Sequence, residues 1–151
     1  MGIDKWAIDE IDEDEYKISE ESAAKCVKEL LTFYKIRVEK IENKDRKIEF
    51  SQALEHLQEA YRLGVLENSR NEDGGVEIIH TIKDGKDKIT YRELVGKDKR
   101  VMDNYGQFEY YQKQQALLGR LSGLGPDAIG SFKRDDLRVS EALAFLFFMS
   151  S

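Results

Sequence analysis

Histidine and cysteine are the residue types most able to support metal or nucleophilic chemistry, and this chain has two histidines, His56 and His80, and one cysteine, Cys26. The histidines fall on different predicted elements, and neither has a second histidine or cysteine at zinc-ligand spacing. Structural or surface histidines are therefore the simpler interpretation. Cys26 lies in an apolar helical pattern, which is typical of a buried structural thiol. Since one cysteine cannot form an internal disulfide, we expect a reducing compartment.

The carboxylates, glycines and serines do not assemble a catalytic motif either. Asp135 and Asp136 are adjacent, so on a helix they point to different faces and cannot share a proton or a metal; Asp135 is instead predicted to cap the last helix. Gly123, Gly125 and Gly130 follow a predicted helix, where a phosphate loop would follow a strand and carry Gly-Lys-Ser/Thr. We therefore nominate no catalytic residue, no metal ligand and no cofactor, and expect a non-enzymatic protein.

Charge is unevenly distributed along the 151 residues. Residues 1–21 hold nine acidic side chains against two lysines, a local charge of −7 within a total of −6. The rest of the chain is nearly neutral and has no clustered basic face for phosphate backbones, so nucleic acid is a poor candidate partner. The longest apolar run, Ala142–Met149, is far below the roughly 20 residues that span a bilayer. No signal peptide is recognisable, and a cytoplasmic protein is expected.

The apolar spacing of the N-terminal half predicts a helical hairpin over 19–66, after an acidic leader over 1–18. Apolar residues recur at steps of three and four from about Ser22 to Ile41, with Ser19 or Ser22 as N-cap. Asn43 to Asp45 interrupts this pattern. A second amphipathic stretch then continues to Gly64, a natural C-terminal cap.

Strand signals follow the hairpin. Residues 67–75 are polar and turn-rich, which predicts a loop. Residues 76–82 and 88–94 are rich in β-branched and aromatic residues and are separated by a segment with Asp84-Gly85, a hairpin signal. We predict a two-stranded ribbon packed on helices, within a unit over 76–151.

The remaining chain reads as helical, with elements around 98–105, 108–122 and 135–149 and a short helix opening at Pro126. The predicted fold is mainly α with one small β-hairpin: an N-terminal helical hairpin, a β-ribbon and a compact C-terminal helical cluster. The last helix is apolar on every side. It is either the centre of the core or has one face that awaits a partner.

The run QALLGRLSGLGPDAIGSFKRDDL, residues 115–137, resembles the C-terminal signature of the tail assembly chaperones of Mu-like long-tailed phages. That family has a leucine-rich helix ending in a Ser-Gly-Leu-like turn, a short helix that opens with proline and acid, and an aspartate before a last apolar helix. The corresponding residues here are Leu117, Leu118, Leu121, Ser122, Gly123, Leu124, Pro126, Ile129, Asp136, Leu137 and Phe145. The preceding ITYRELVGKDKRVMD, residues 89–103, resembles the family's strand that ends in an arginine, and the resemblance extends over about residues 76–149; the leader and the N-terminal hairpin are additional to it.

The resemblance implies a non-enzymatic chaperone that binds the helical tape measure protein and helps to recruit tail tube protein, with self-association left open. An apolar groove suited to amphipathic helices is expected. Its candidate partner-binding residues are Leu117, Leu121, Leu124, Phe145, Phe148 and Met149. Two alternatives stay open: a structural protein of the virion, and a nucleic-acid-binding regulator in which the helices of residues 107–138 imitate a helix-turn-helix.

Overall fold

The computed structural model describes residues 15–82 and 85–150. The acidic leader predicted over 1–18, apart from residues 15–18, lies outside the described residues. The described elements begin with helices α1 (Glu20–Phe33) and α2 (Lys44–Arg62), with a one-turn 3-10 helix between them at Val38–Lys40. Strands β1 (Leu66–Arg70), β2 (Val76–Ile82) and β3 (Asp87–Tyr91) follow. The 3-10 helix Gly96–Asn104 then leads to α3 (Tyr110–Ser122), α4 (Pro126–Gly130) and α5 (Arg134–Met149).

Helices α1 and α2 form the predicted hairpin, and local capping sets their ends. Ser19 is the N-cap of α1, where its side chain accepts a hydrogen bond from the Ser22 amide at 3.1 Å. Asn43 caps α2 in the same way through the Arg46 amide, at 3.0 Å. Helix α1 ends at Phe33, earlier than its apolar spacing predicted. The reason is a turn at Lys35, after which Ile36 is buried against the core without helical geometry.

A three-stranded antiparallel sheet in the order β1-β2-β3 follows the hairpin. The predicted mainly helical fold with a small β element is confirmed, but the prediction of a loop over all of 67–75 was wrong, because β1 occupies 66–70. The polar residues of β1 are tolerated because it is an edge strand with an exposed face. Asn71 closes the turn into β2, since its side chain accepts hydrogen bonds from the amides of Asp73 and Gly75.

Helix α5 lies in the centre of the core. It packs mainly against α2 and also contacts α3 and α4. Leu143, Leu146 and Phe147 are fully buried, in one hydrophobic cluster that also contains Leu30 of α1 and Phe50 of α2. Apolar residues from both the 19–66 segment and the 76–150 segment therefore share this cluster, and α5 connects them.

Candidate protein-binding groove

A groove runs along the part of α5 that the other helices leave open, between α2 and the beginning of α3. Its largest cleft, of about 410 Å³, is lined by Tyr110 and Tyr111 of α3, Phe145 of α5 and His56 of α2, among others. Tyr110 and Phe145 also line a cleft of about 140 Å³ nearer the C-terminus of α5. Tyr111 also lines a third cleft, of about 290 Å³, which is nearer the N-terminus of α5. Neighbouring clefts share lining side chains and therefore adjoin one another along α5; together they are called the groove.

Aromatic contacts build the floor of this groove. The ring of Phe145 stacks on that of Phe50, with centroids 5.5 Å apart and an angle of 18° between the planes. Phe148 meets Tyr110 edge-to-face at 5.7 Å, which fastens the first turn of α3 to the last turns of α5. Burial raises the pKa of the Tyr110 phenol, and its hydrogen bond with Gln114 acts in the opposite direction. The floor is thus apolar and partly withdrawn from water.

Three aromatic residues that lie close together in the sequence, at the start of α3 or just before it, are exposed. Phe108 is 90% exposed and Tyr111 is 62% exposed, and Tyr110 between them is also exposed. Single exposed apolar side chains are ordinary, but a cluster of them marks interaction surfaces. Aromatic side chains are also enriched among residues that dominate binding energy.

Charged side chains of both signs line the walls. Arg138 and Glu141 of α5 line the largest cleft together with Glu49 of α2. Burial raises the pKa of Glu141, while the positive charge of Arg138 lowers it. The middle of the groove therefore combines an apolar floor with charges of both signs, which suits an amphipathic polypeptide better than a small anion.

The predicted partner-binding residues divide between core and surface. Phe145, Phe148 and Met149 are half-buried and line the groove. Leu117 and Leu121 are buried in the core, because their face of α3 points inward, so in this structure they have no surface for a partner. Leu124 is 53% exposed in the turn between α3 and α4, and it does not line the clefts described above.

Sequence reasoning missed the contribution of α2 and of the first turn of α3. Tyr110 and Tyr111 were predicted only as part of a helix, and Arg46 and Glu49 were not singled out. The signal that could have revealed them is the run Phe108-Glu109-Tyr110-Tyr111, in which adjacent aromatics cannot all face the core of one helix. Nothing local in the sequence indicates which part of α2 lies beside α5.

The buried side chain of His80 in β2 has both aromatic and polar neighbours. The His80 ring stacks on Tyr91 and meets Phe132 edge-to-face, with centroids at 6.5 and 6.1 Å. Its Nε2 atom lies 3.9 Å from Oδ1 of Asp136, beyond hydrogen-bond distance. Ser140 donates its hydroxyl to the Asp136 carbonyl at 2.9 Å. His80 and Ser140 are buried, Asp136 is half-buried, and the serine hydroxyl is directed at the backbone of α5, so these side chains do not form a catalytic triad.

Burial lowers the pKa of His80 from 6.5 to about 4. Between pH 6.5 and pH 4 the imidazole of His80 is protonated in the unfolded chain but neutral in the folded protein. The stability that the neutral His80 contributes is therefore complete above pH 6.5 and is lost as the pH falls from 6.5 to 4. The loss should be about 2 to 3 kcal/mol. Urea unfolding at pH 7 and pH 4 measures it.

The His80→Leu variant should lose less stability between pH 7 and pH 4 than the parent, whereas His56→Gln, the matched control at the other histidine, should lose as much as the parent. Equal losses in the parent and in His80→Leu would show that His80 is not the titrating group.

Other candidate chemistry finds no geometric support in the described parts of the chain. Within residues 15–82 and 85–150, no three histidine, cysteine or carboxylate side chains come close enough to hold a metal ion. Cys26 is half-buried against the core, and burial raises the pKa of its thiol, which disfavours the reactive thiolate. The same residues contain no helix that combines the length and apolarity needed to cross a bilayer.

Asp135 does not cap α5 as predicted. The N-cap is Lys133, and Asp135 lies in the first turn of the helix. The acidic side chain still stands where the helix dipole favours it.

Compared with protein-family models, with curated protein sequences and with solved structures, this chain shows no significant match.

Proposed function

We propose that this protein is a non-enzymatic assembly chaperone of a long-tailed phage, which holds an amphipathic helix of the tape measure protein in the groove along α5. The observation that carries the proposal is the groove itself: an aromatic floor formed by Phe145, Phe148 and Tyr110, with charged walls from α2 and α5. The resemblance of residues 76–149 to tail assembly chaperones supplies the biological context.

The dimensions of the groove suit a helix. Its lining residues on α5 extend from Leu137 to Met149, which corresponds to about 18 Å along the helix axis. Three turns of a partner helix have a similar length. An amphipathic helix bound in a groove is anchored by apolar side chains at spacings such as i, i+3, i+4 and i+7. The spaced aromatic residues of the groove offer contacts of that kind.

The helix-turn-helix alternative receives less support from the geometry. α4, which would have to follow the turn as the recognition helix, has only the five residues Pro126–Gly130, and its first turn carries Asp127. A recognition helix must reach several base edges in the major groove, and an acidic first turn would face phosphates. A protein partner is therefore the better-supported proposal.

Replacing aromatic side chains of the groove is expected to weaken binding of the tape measure protein. In the double variant Tyr111→Ser, Phe148→Ser, the dissociation constant for a helical tape measure segment should rise at least about thirtyfold, as is typical when binding hot spots are truncated. Fluorescence anisotropy with a labelled segment measures this constant. Co-expression with the full-length tape measure protein should also leave less of that protein soluble.

The matched control is Ile48→Ser. Ile48 is 57% exposed on α2 but does not line the clefts of the groove, so its loss removes apolar surface without touching the proposed site. Circular dichroism must show that both variants are folded. If the folded double variant keeps the parent's affinity, or if the chain is found permanently in purified particles and does not bind the tape measure protein, the proposal fails.

A further inference from the structure

The groove continues at one end into a basic cleft of about 520 Å³, between the segment after α1 and the beginning of α2. The two share Arg46 and Met149, so the basic cleft is a continuation of the groove past the C-terminus of α5. Among the described residues, four cationic side chains and one acidic side chain, Glu42, line it. The cationic residues are Lys35, Arg37, Lys40 and Arg46.

All four cationic side chains are exposed. Within residues 15–82 and 85–150, none of them forms an ion pair with a carboxylate. Elsewhere in the described part of the groove positive charge is not in excess, since the one cation Arg138 lines the same cleft as Glu141 and Glu49. In the part of the chain that the structure describes, the groove therefore has excess positive charge at one end.

The floor of the basic cleft is apolar. Ile36 is buried there, and Ile41 and Met149 are half-buried. A site for a small anion would surround it with polar donors, whereas cations around an apolar floor match a polypeptide that is apolar on one side and acidic on another.

The backbone conformation at Lys35 fixes the position of one of these cations. Lys35 has φ of +56°, in the left-handed region that favours glycine or asparagine. Its amide donates to the Thr32 carbonyl at 3.2 Å, which closes the turn after α1 and turns the chain toward the cleft. The first of the four cations therefore stands on a defined turn at the edge of the cleft.

We infer that the partner of this groove is an amphipathic helix with acidic residues clustered at one end, and that Lys35, Arg37, Lys40 and Arg46 bind this acidic end. The inference rests on the proposed function, since it specifies which helical segments the groove selects. Apolar residues of the partner contact Phe145, Phe148 and Tyr110, and its acidic end sets the register of the helix along the groove.

Three synthetic 20-residue helices with the same apolar face test this inference. Their last turn carries four glutamates, four glutamines or four lysines. With the full chain at about 50 mM salt, the glutamate peptide should bind roughly tenfold more tightly than the glutamine peptide, and the lysine peptide more weakly still. The double variant Arg37→Glu, Lys40→Glu should reverse that order, and about 500 mM salt should remove most of the difference.

The matched control is Lys28→Glu, Lys44→Glu, which reverses the charge of two exposed lysines outside the lining of the basic cleft. This variant should keep the parent's order of the three peptide affinities. If all three peptides bind equally to the parent, but binding disappears in Tyr111→Ser, Phe148→Ser, the inference fails while the groove stands. If none of the three peptides binds but segments of the tape measure protein do, the proposed groove is kept and the inferred preference for a helix with an acidic end is wrong. If affinity rises only when the acidic residues of the leader are changed to amides, the chain's own leader occupies the cleft, and the inference of a partner's acidic end is overturned.

Discussion

Asp98→Ala is expected to lower the free energy of unfolding by about 3 kcal/mol, because it removes the buried carboxylate that holds two arginine side chains and a backbone amide together. The Asp98 side chain is 0% exposed. It accepts hydrogen bonds from Nη1 and Nη2 of Arg92 at 2.8 and 2.7 Å and from Nε of Arg120 at 2.6 Å. It also accepts one from the Val95 amide at 2.9 Å. The carboxylate thus joins the end of β3, the 3-10 helix and α3.

The loss of stability in Asp98→Ala comes from the hydrogen-bond donors that are left without their acceptor. Two guanidinium groups would lose their carboxylate, although each is partly exposed and can recover some hydration. The hydrogen bonds from Arg92, followed by those from Arg120 and Val95, hold the pKa of Asp98 well below its usual range despite burial. The cluster therefore contributes its stability at and above the ordinary pKa of 3.8 and loses it as the pH falls below that value.

Chemical denaturation at pH 7 measures the effect, and Asp103→Ala is the matched control because Asp103 is exposed in the same 3-10 helix. The control should change stability by less than about 0.5 kcal/mol. Asp98→Asn should fall between the two, since an amide oxygen still accepts the Val95 hydrogen bond. Equal stabilities of Asp98→Ala and Asp103→Ala would contradict the assignment of a structural role to this cluster.

The second large effect is expected at Gly119, inside α3. A Cβ atom at this position would lie 2.5 Å from the Pro126 nitrogen and 2.7 Å from the Gly125 carbonyl oxygen. Both are backbone atoms, so no flexible side chain can move away. The Gly125 amide also donates to the Gly119 carbonyl at 3.1 Å, which holds α4 against α3. Gly119→Ala should therefore destabilise the protein by about 2 to 3 kcal/mol, as overpacked sites do.

Helix propensity alone would change the stability in the opposite direction. Alanine is preferred over glycine inside a helix by about 1 kcal/mol, so a free helix would gain stability. The control Gly96→Ala has no neighbouring atom within 4 Å of the added Cβ and should be nearly neutral. A thermal melt compares the two variants directly, and a Gly119→Ala protein as stable as the parent would mean that α4 does not lie against α3 as described.

Both positions matter to the proposed groove. Arg120 and Gly119 belong to α3, whose first turn carries Tyr110 and Tyr111. If the Asp98 cluster or the α3–α4 contact loosens, these tyrosines lose their position relative to Phe148. Weaker peptide binding in these variants would then follow from the altered fold, which is why the proposed binding tests use exposed or half-buried residues.

The sequence by itself determined the local elements. The hydroxyl of Ser19, the amide oxygen of Asn43 and the left-handed glycines Gly64 and Gly123 act on backbone groups within a few residues. Helix ends depend on such short-range hydrogen bonds and dihedral preferences, so they can be read from neighbouring residues. The apolar character of α5 likewise indicated a helix that is covered on every side, either by the core or by a partner on one face.

Only the tertiary structure decided which residues share a surface. β1 forms from a polar sequence because β2 supplies its hydrogen bonds, and Leu117 and Leu121 are buried because α3 turns that face toward the core. The groove requires α2, α3 and α5 side by side, and the Asp98 cluster requires partners 6 and 22 residues away. These contacts depend on how elements pack, and the hydrophobic driving force is non-directional, so burial alone does not specify which faces meet.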